Sequence, residues 1–118
     1  MRYYFDTCIW IDYLNERDKR VVDFVFKIIF EHDILMSDVV FRELHKFMFN
    51  LFLPNIKNII LIKASDDEKR SALEISRQRN LPFADALHAM LARDNDAILV
   101  TRDKHFLDLE DICNIKLL

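Results

Sequence analysis

The sequence predicts an α/β fold, a three-layer α/β/α sandwich around a mostly parallel central sheet. Two observations predict it. Short apolar runs alternate along the chain with longer segments that place their apolar residues at helical spacing. The runs IILI (59–62) and AILV (97–100) lack polar alternation, as strands covered on both faces should. With 118 residues, the chain is expected to form a single domain over 1–118 around one core.

The elements follow in order. RYYF (2–5) is a short strand of β-favouring residues, and residues 8–14 read as helix. From Lys19 to Phe30, the apolar positions Val21, Val22, Phe24, Val25, Ile28 and Ile29 make one broad helical face. ILM (34–36) is a brief strand. Ser37 then caps a helix expected from about Asp38 to Asn50, before Pro54, its hydroxyl accepting a bond from a free N–H. IILIK (59–63) is the third strand. Ser65 opens a helix through DDEKRSALEISRQRN (66–80), with acids in its first turn and Arg77 and Arg79 in its last, as the helix dipole favours. Pro82 starts another helix through Asp94. AILVT (97–101) and NIKLL (114–118) complete the sheet.

Composition excludes several function classes. The chain has no glycine, which disfavours any phosphate-binding loop that needs close backbone approach or positive φ. Cys8 and Cys113 form no CxxC pair and no Cys/His cluster, so a zinc site is not expected and a reducing compartment fits. MRYYFDTCIW carries an acid at Asp6 and lacks a signal-peptide core. The apolar run FMFNLFLP (47–54) is too short to span a bilayer. A soluble cytoplasmic protein with no membrane partner is expected. The net charge of −3 argues against nonspecific coating of nucleic acid, unless the acids hold cations: two +2 ions would bring −3 to +1.

Four acids stand where a core-building pattern does not want them. Asp6 directly follows the first strand and Asp103 follows the fourth, on the edge where parallel sheets bind ligands. Glu43 lies four residues after Val39 and three after Val40, inside the apolar stripe of its helix. Singly, Glu43 could pair with Arg42 or Lys46. Asp85 shares a stripe with the small residues Ala89 and Ala92, which let a helix approach a sheet; singly, it could simply complement the helix dipole. Clustered carboxylates repel one another without a cation. An oxygen-only donor set suits Mg²⁺ or Mn²⁺, and such ions serve phosphodiester hydrolysis.

Three segments carry a resemblance. YYFDTCIWIDYL, SDVVFRELHKF and LPFADALHAMLARDNDAILVTRDKHF, in that order, resemble the PIN-domain nucleases, most closely the VapC-type toxin ribonucleases of toxin–antitoxin pairs. The resemblance covers nearly the whole chain. It implies that Asp6, Glu43, Asp85 and Asp103 form an acidic metal site to which Thr101, and Thr7 with it, lend hydroxyls. It implies Mg²⁺ or Mn²⁺ dependence, endoribonuclease action on RNA, a homodimer and a cognate antitoxin. The chain departs from the family in carrying Asn95 and Asp96 where glycine is frequent before the fourth strand, and in being short between Leu51 and Asp66.

Other residues have ordinary readings. Arg42, Arg102 and Lys104 could contact phosphate, but local pairing with acids is the commoner use. Among His45, His88 and His105, only His88 lies one turn after Asp85. FRELHKFMFNLF (41–52) is apolar on more than one face, as a core helix or a contact surface would be. Two other classes compete with the nuclease. One is a catalytically silent binding module on the same fold. The other is a receiver-like phosphoacceptor domain, which needs an acid at the end of strand three, where IILIKAS has none.

Overall fold

The computed structural model of the protein describes residues 1–47 and 58–118. The expected helical residues 48–50, Pro54 and most of FMFNLFLP lie outside the described residues. Five strands, β1 (Arg2–Phe5), β2 (Asp33–Ser37), β3 (Ile59–Ile62), β4 (Ile98–Thr101) and β5 (Ile115–Leu117), form a sheet in the order β3-β2-β1-β4-β5. Every adjacent pair is parallel. The helices are α1 (Thr7–Leu14), α2 (Lys19–Ile28), α3 (Asp38–Phe47), α4 (Asp66–Arg79) and α5 (Phe83–Asp94). A short 3-10 helix, Lys104–Leu109, links β4 to β5 and is an element the sequence pattern does not announce.

The layers follow from the strand order. Steps from β1 to β2 to β3 move one way across the sheet, and steps to β4 and β5 move the other way. Right-handed crossovers therefore put α1 to α3 on one face and α4 and α5 on the other. The side chains of β1 agree by their alternation. Phe5 packs on Trp10 of α1 and Tyr3 on Phe24 of α2, while Tyr4 faces His88 of α5. Tyr4, Phe5, Trp10, Leu35, Leu91 and Leu99 are sealed in the core.

Local chemistry places the helix ends. Ser37 Oγ accepts the Val40 N–H at 3.1 Å. Ser65 and Glu68 form a reciprocal capping box at the start of α4. Asn80 ends α4 with φ 55°, and Asp96 turns the chain into β4 with φ 51°. In a chain without glycine these two positions use the residues best able to adopt left-handed angles. Only Asn95, Asp96 and Ala97 separate α5 from β4, so α5 ends near the start of β4. Its first turn, with Asp85, points back toward the carboxyl edge of the sheet.

One expectation is corrected. IILI is not covered on both faces: β3 is an edge strand, with Leu61 70% exposed and Ile60 also exposed. Among the described residues, no helix is long and apolar enough to cross a membrane.

The two apolar runs should therefore respond differently to mutation. Leu99→Ala, in β4, should cost about 2–5 kcal/mol of unfolding free energy. Leu61→Ser should change it by no more than about 0.5 kcal/mol. Urea denaturation midpoints measure both, and equal losses would contradict the assignment of β3 to the edge.

Candidate functional site at the carboxyl edge of the sheet

β1 and β4 are neighbours, with Phe5 opposite Val100. The residues that follow them, Asp6 and Asp103, therefore leave the sheet at the same edge. Asp6 is only 5% exposed. It caps α1, its Oδ1 accepting the Ile9 N–H at 3.0 Å. Its Oδ2 accepts the Thr101 hydroxyl at 2.6 Å. The same Thr101 oxygen accepts the Asp103 N–H at 3.0 Å. Asp103 in turn caps the 3-10 helix through the His105 N–H at 2.9 Å, and His105 Nδ1 lies 3.0 Å from its carboxylate. One hydroxyl thus links the two strand-end acids.

The helical acids approach from the two layers. Glu43 does not pair with Arg42 or Lys46. Its Oε2 accepts the Thr7 hydroxyl at 2.9 Å, and its Oε1 lies 3.7 Å from His88 Nε2. Arg42 bonds instead to Asp38. Asp85 is half-buried in the first turn of α5. Its carboxyl is raised by burial, by the charges of Asp103 and Glu43, and lowered by His105. Asp6 is pushed up to about 6, first by burial and further by Asp103 and Asp85, against the pull of the Thr101 and Ile9 hydrogen bonds. Each acid is within electrostatic reach of at least one other. Among the described residues, no three His, Cys, Asp or Glu side chains converge on a single ion-ligating position.

Beneath the acids runs a buried polar chain. Tyr4 Oη lies 2.7 Å from Ser37 Oγ and 2.6 Å from His88 Nδ1. His88 is 4% exposed, and burial pushes its ring down to about 4. Burial likewise raises the Tyr4 phenol. The sequence reading overlooked Tyr4 and took Ser37 only as a helix cap. A Tyr in a buried strand needs a partner for its hydroxyl, and that need was the available signal.

The arginine nearest the edge is held by acids outside the site. Arg102 lies 2.7 Å from Asp18 and 3.0 Å from the buried Asp12, clamping α1 and the cap of α2 to the end of β4. Asp12 carried no mark in the sequence, since its partner is ninety positions away. Lys104 is exposed at the start of the 3-10 helix, and His45 is exposed and stacked on Phe41.

Comparison with known proteins follows this geometry. No curated protein sequence matches the chain significantly. VapBC2 from Rickettsia felis, solved bound to a DNA fragment from its promoter, superposes with a TM-score of 0.75 at 18% identity, covering 99% of this chain and 98% of that one. A toxin–antitoxin complex from Klebsiella pneumoniae superposes at 0.66 and 19% identity, over 86% of each chain. VapBC-1 from nontypeable Haemophilus influenzae gives 0.70 at 17% identity, over 99% and 98%. These likenesses are of fold. Membership comes from the family profile of the PIN domain, which matches residues 3–112. The chain, with its five-stranded parallel sheet and its acids gathered at one edge, belongs to the PIN-domain family.

Proposed function

We propose that the protein is a metal-dependent endoribonuclease, the toxin of a VapBC-type toxin–antitoxin pair, acting as a single nuclease domain over residues 1–118. The observation that carries this reading is the gathering of Asp6, Glu43, Asp85 and Asp103 at the carboxyl edge of a PIN-family sheet, with Asp6 held in place by Thr101. The donors fit a hard divalent cation. They are carboxylate oxygens, and beyond the effect of burial Asp6 is raised by the charges of Asp103 and Asp85, and Asp85 by those of Asp103 and Glu43, which a cation would relieve. Asp6, Glu43, Asp85 and Asp103 would hold Mg²⁺ or Mn²⁺. Bound there, such an ion would neutralise charge on a phosphodiester oxygen and acidify an attacking water.

The chain's own residues do the positioning. Each Asp6 oxygen is tied by one donor and keeps a lone pair for a further partner. Thr7 fixes one oxygen of Glu43 in the same way. Arg102 is engaged by Asp12 and Asp18, and Arg42 by Asp38, so neither is the phosphate clamp of this reading. The antitoxin partner is supported by the likeness to toxin–antitoxin complexes. A homodimer is supported by exposed apolar side chains such as Phe26 of α2 and Phe30 in the turn after it, whose rings pack edge to face. The receiver-like alternative fits poorly. Its doubly wound order is 2-1-3-4-5, whereas this sheet runs β3-β2-β1-β4-β5.

The deciding experiment is cleavage of a mixed structured and unstructured RNA pool by purified protein with Mn²⁺ or Mg²⁺, and with EDTA. Cleavage should require the metal and fall at least 100-fold in Asp6→Asn and Asp85→Asn. Cleavage surviving in both variants would mark a contaminant. Absence of both cleavage and calorimetric metal binding in the wild type would favour a silent binding module.

A second outcome concerns pH. Asp6 titrates near 6 when folded and near its ordinary 3.8 when unfolded, so the native state holds its proton more tightly. The stability this contributes is full below about pH 4 and is lost as pH rises through 6. In metal-free protein, wild type should lose roughly 2–3 kcal/mol relative to Asp6→Asn across that window. Added Mn²⁺ should raise the melting temperature of wild type at pH 7.5 and leave that of Asp6→Asn nearly unchanged. Thermal scans at pH 4, 6 and 7.5 measure both, and identical pH profiles for the two proteins would contradict the raised Asp6.

A further inference from the structure

We propose that Ser37, Tyr4 and His88 form a proton-ordered relay that holds His88 as the Nε2–H tautomer, so that its N–H faces Glu43 Oε1 and positions that carboxylate. The importance of Glu43 rests on the nuclease reading; the order of protons in the relay does not.

The order follows from counting donors and acceptors. Ser37 is fully buried, and its Oγ already accepts the Val40 N–H. Its own proton needs an acceptor, and Tyr4 Oη stands 2.7 Å away. With that lone pair occupied, the Tyr4 proton points to its remaining partner, His88 Nδ1, at 2.6 Å. Nδ1 is then an acceptor, and the neutral ring carries its proton on Nε2. Nε2 faces Glu43 Oε1 at 3.7 Å, too long for a hydrogen bond as it stands but within a small side-chain rotation of one.

The opposite order fails at both ends. A proton on Nδ1 would send the Tyr4 proton to Ser37 and leave the fully buried Ser37 hydroxyl with no acceptor among the described residues. It would also turn the bare lone pair of Nε2 toward an anionic oxygen. A buried donor without an acceptor bears the full cost of its lost hydration.

The relay complements Thr7. Thr7 holds Glu43 Oε2 from α1, on one layer, while His88 faces Oε1 from α5, on the other. Glu43 is thus addressed on each oxygen by a neutral donor, which orients a carboxylate without neutralising it. His88 acts through Glu43 and is a positioning residue.

The test is ring nitrogen NMR of the full-length protein, with the His88 signals assigned by their loss in His88→Gln. The wild type should show a single tautomer protonated at Nε2, and Tyr4→Phe should move both nitrogens toward tautomer-averaged values. A wild-type ring protonated at Nδ1, or one unchanged by Tyr4→Phe, overturns the relay. Calorimetry with Mn²⁺ alone tests positioning. His88→Leu should weaken binding about 10-fold or more, and His88→Gln, which keeps an amide N–H toward Glu43, should stay within about 3-fold of wild type. Equal affinity in His88→Leu and wild type overturns the positioning role. Wild type that binds no Mn²⁺ sinks the nuclease reading alone. The relay is then decided by the tautomer and by the Glu43 carboxyl ¹³C shift, which should move in His88→Leu and hold in His88→Gln. Circular dichroism confirms that the variants are folded.

Discussion

A carboxylate almost closed off from water, at the end of the central strand, is the constraint around which this protein is arranged. Burying a charged group is costly unless hydrogen bonds replace its water. Asp6 receives two, from the Ile9 N–H and the Thr101 hydroxyl. The first starts α1, and the second joins the ends of β1 and β4. Thr101 then orders the turn that carries Asp103. A single side chain thereby sets a helix start, a strand register at its end, and the position of a second acid.

Ion pairs and a backbone hydrogen bond flank that centre. Arg102 gathers Asp12 and Asp18, while Asp38 takes Arg42 on one side and the Ala64 N–H at 3.2 Å on the other, fastening α3 to the end of β3. The guanidinium groups of Arg42 and Arg102 are therefore used in holding loops. The acids at the centre keep their negative field, which repels a phosphodiester as strongly as it attracts a cation. Under the proposed function, a cation held among the acids would relieve that opposition.

Much of this was legible in the sequence where a pattern is local. The strands, the capping serines at 37 and 65, and the left-handed turn at Asp96 all follow from neighbouring residues. The oddity of Glu43 was legible because an acid interrupts an apolar stripe. What was not legible depends on distant partners or on place in the sheet. IILI and AILV read alike, yet one is an edge strand and the other is central, because strand order is not a local property. KHFLDL is too short to show a period, so its 3-10 turn was missed. Tyr4 and His88 are 84 positions apart, and neither announces the other.

Strand order also bears on synthesis. β1 is made first, but its partner β4 is the fourth strand made, and Asp103 lies 97 positions after Asp6. At roughly 5–20 residues per second, the ribosome needs about 5–20 s to travel between them. Until then one side of β1 is an open edge, Asp6 lacks its Thr101 donor, and the acidic edge does not exist. A fragment released before β4 keeps three of the four acids in sequence but lacks Asp103 and the Thr101 hydroxyl that links it to Asp6. The acidic edge is thus incomplete for most of the chain's time on the ribosome, and the interval before β4 arrives is also when its unpaired strand is most exposed to wrong pairing.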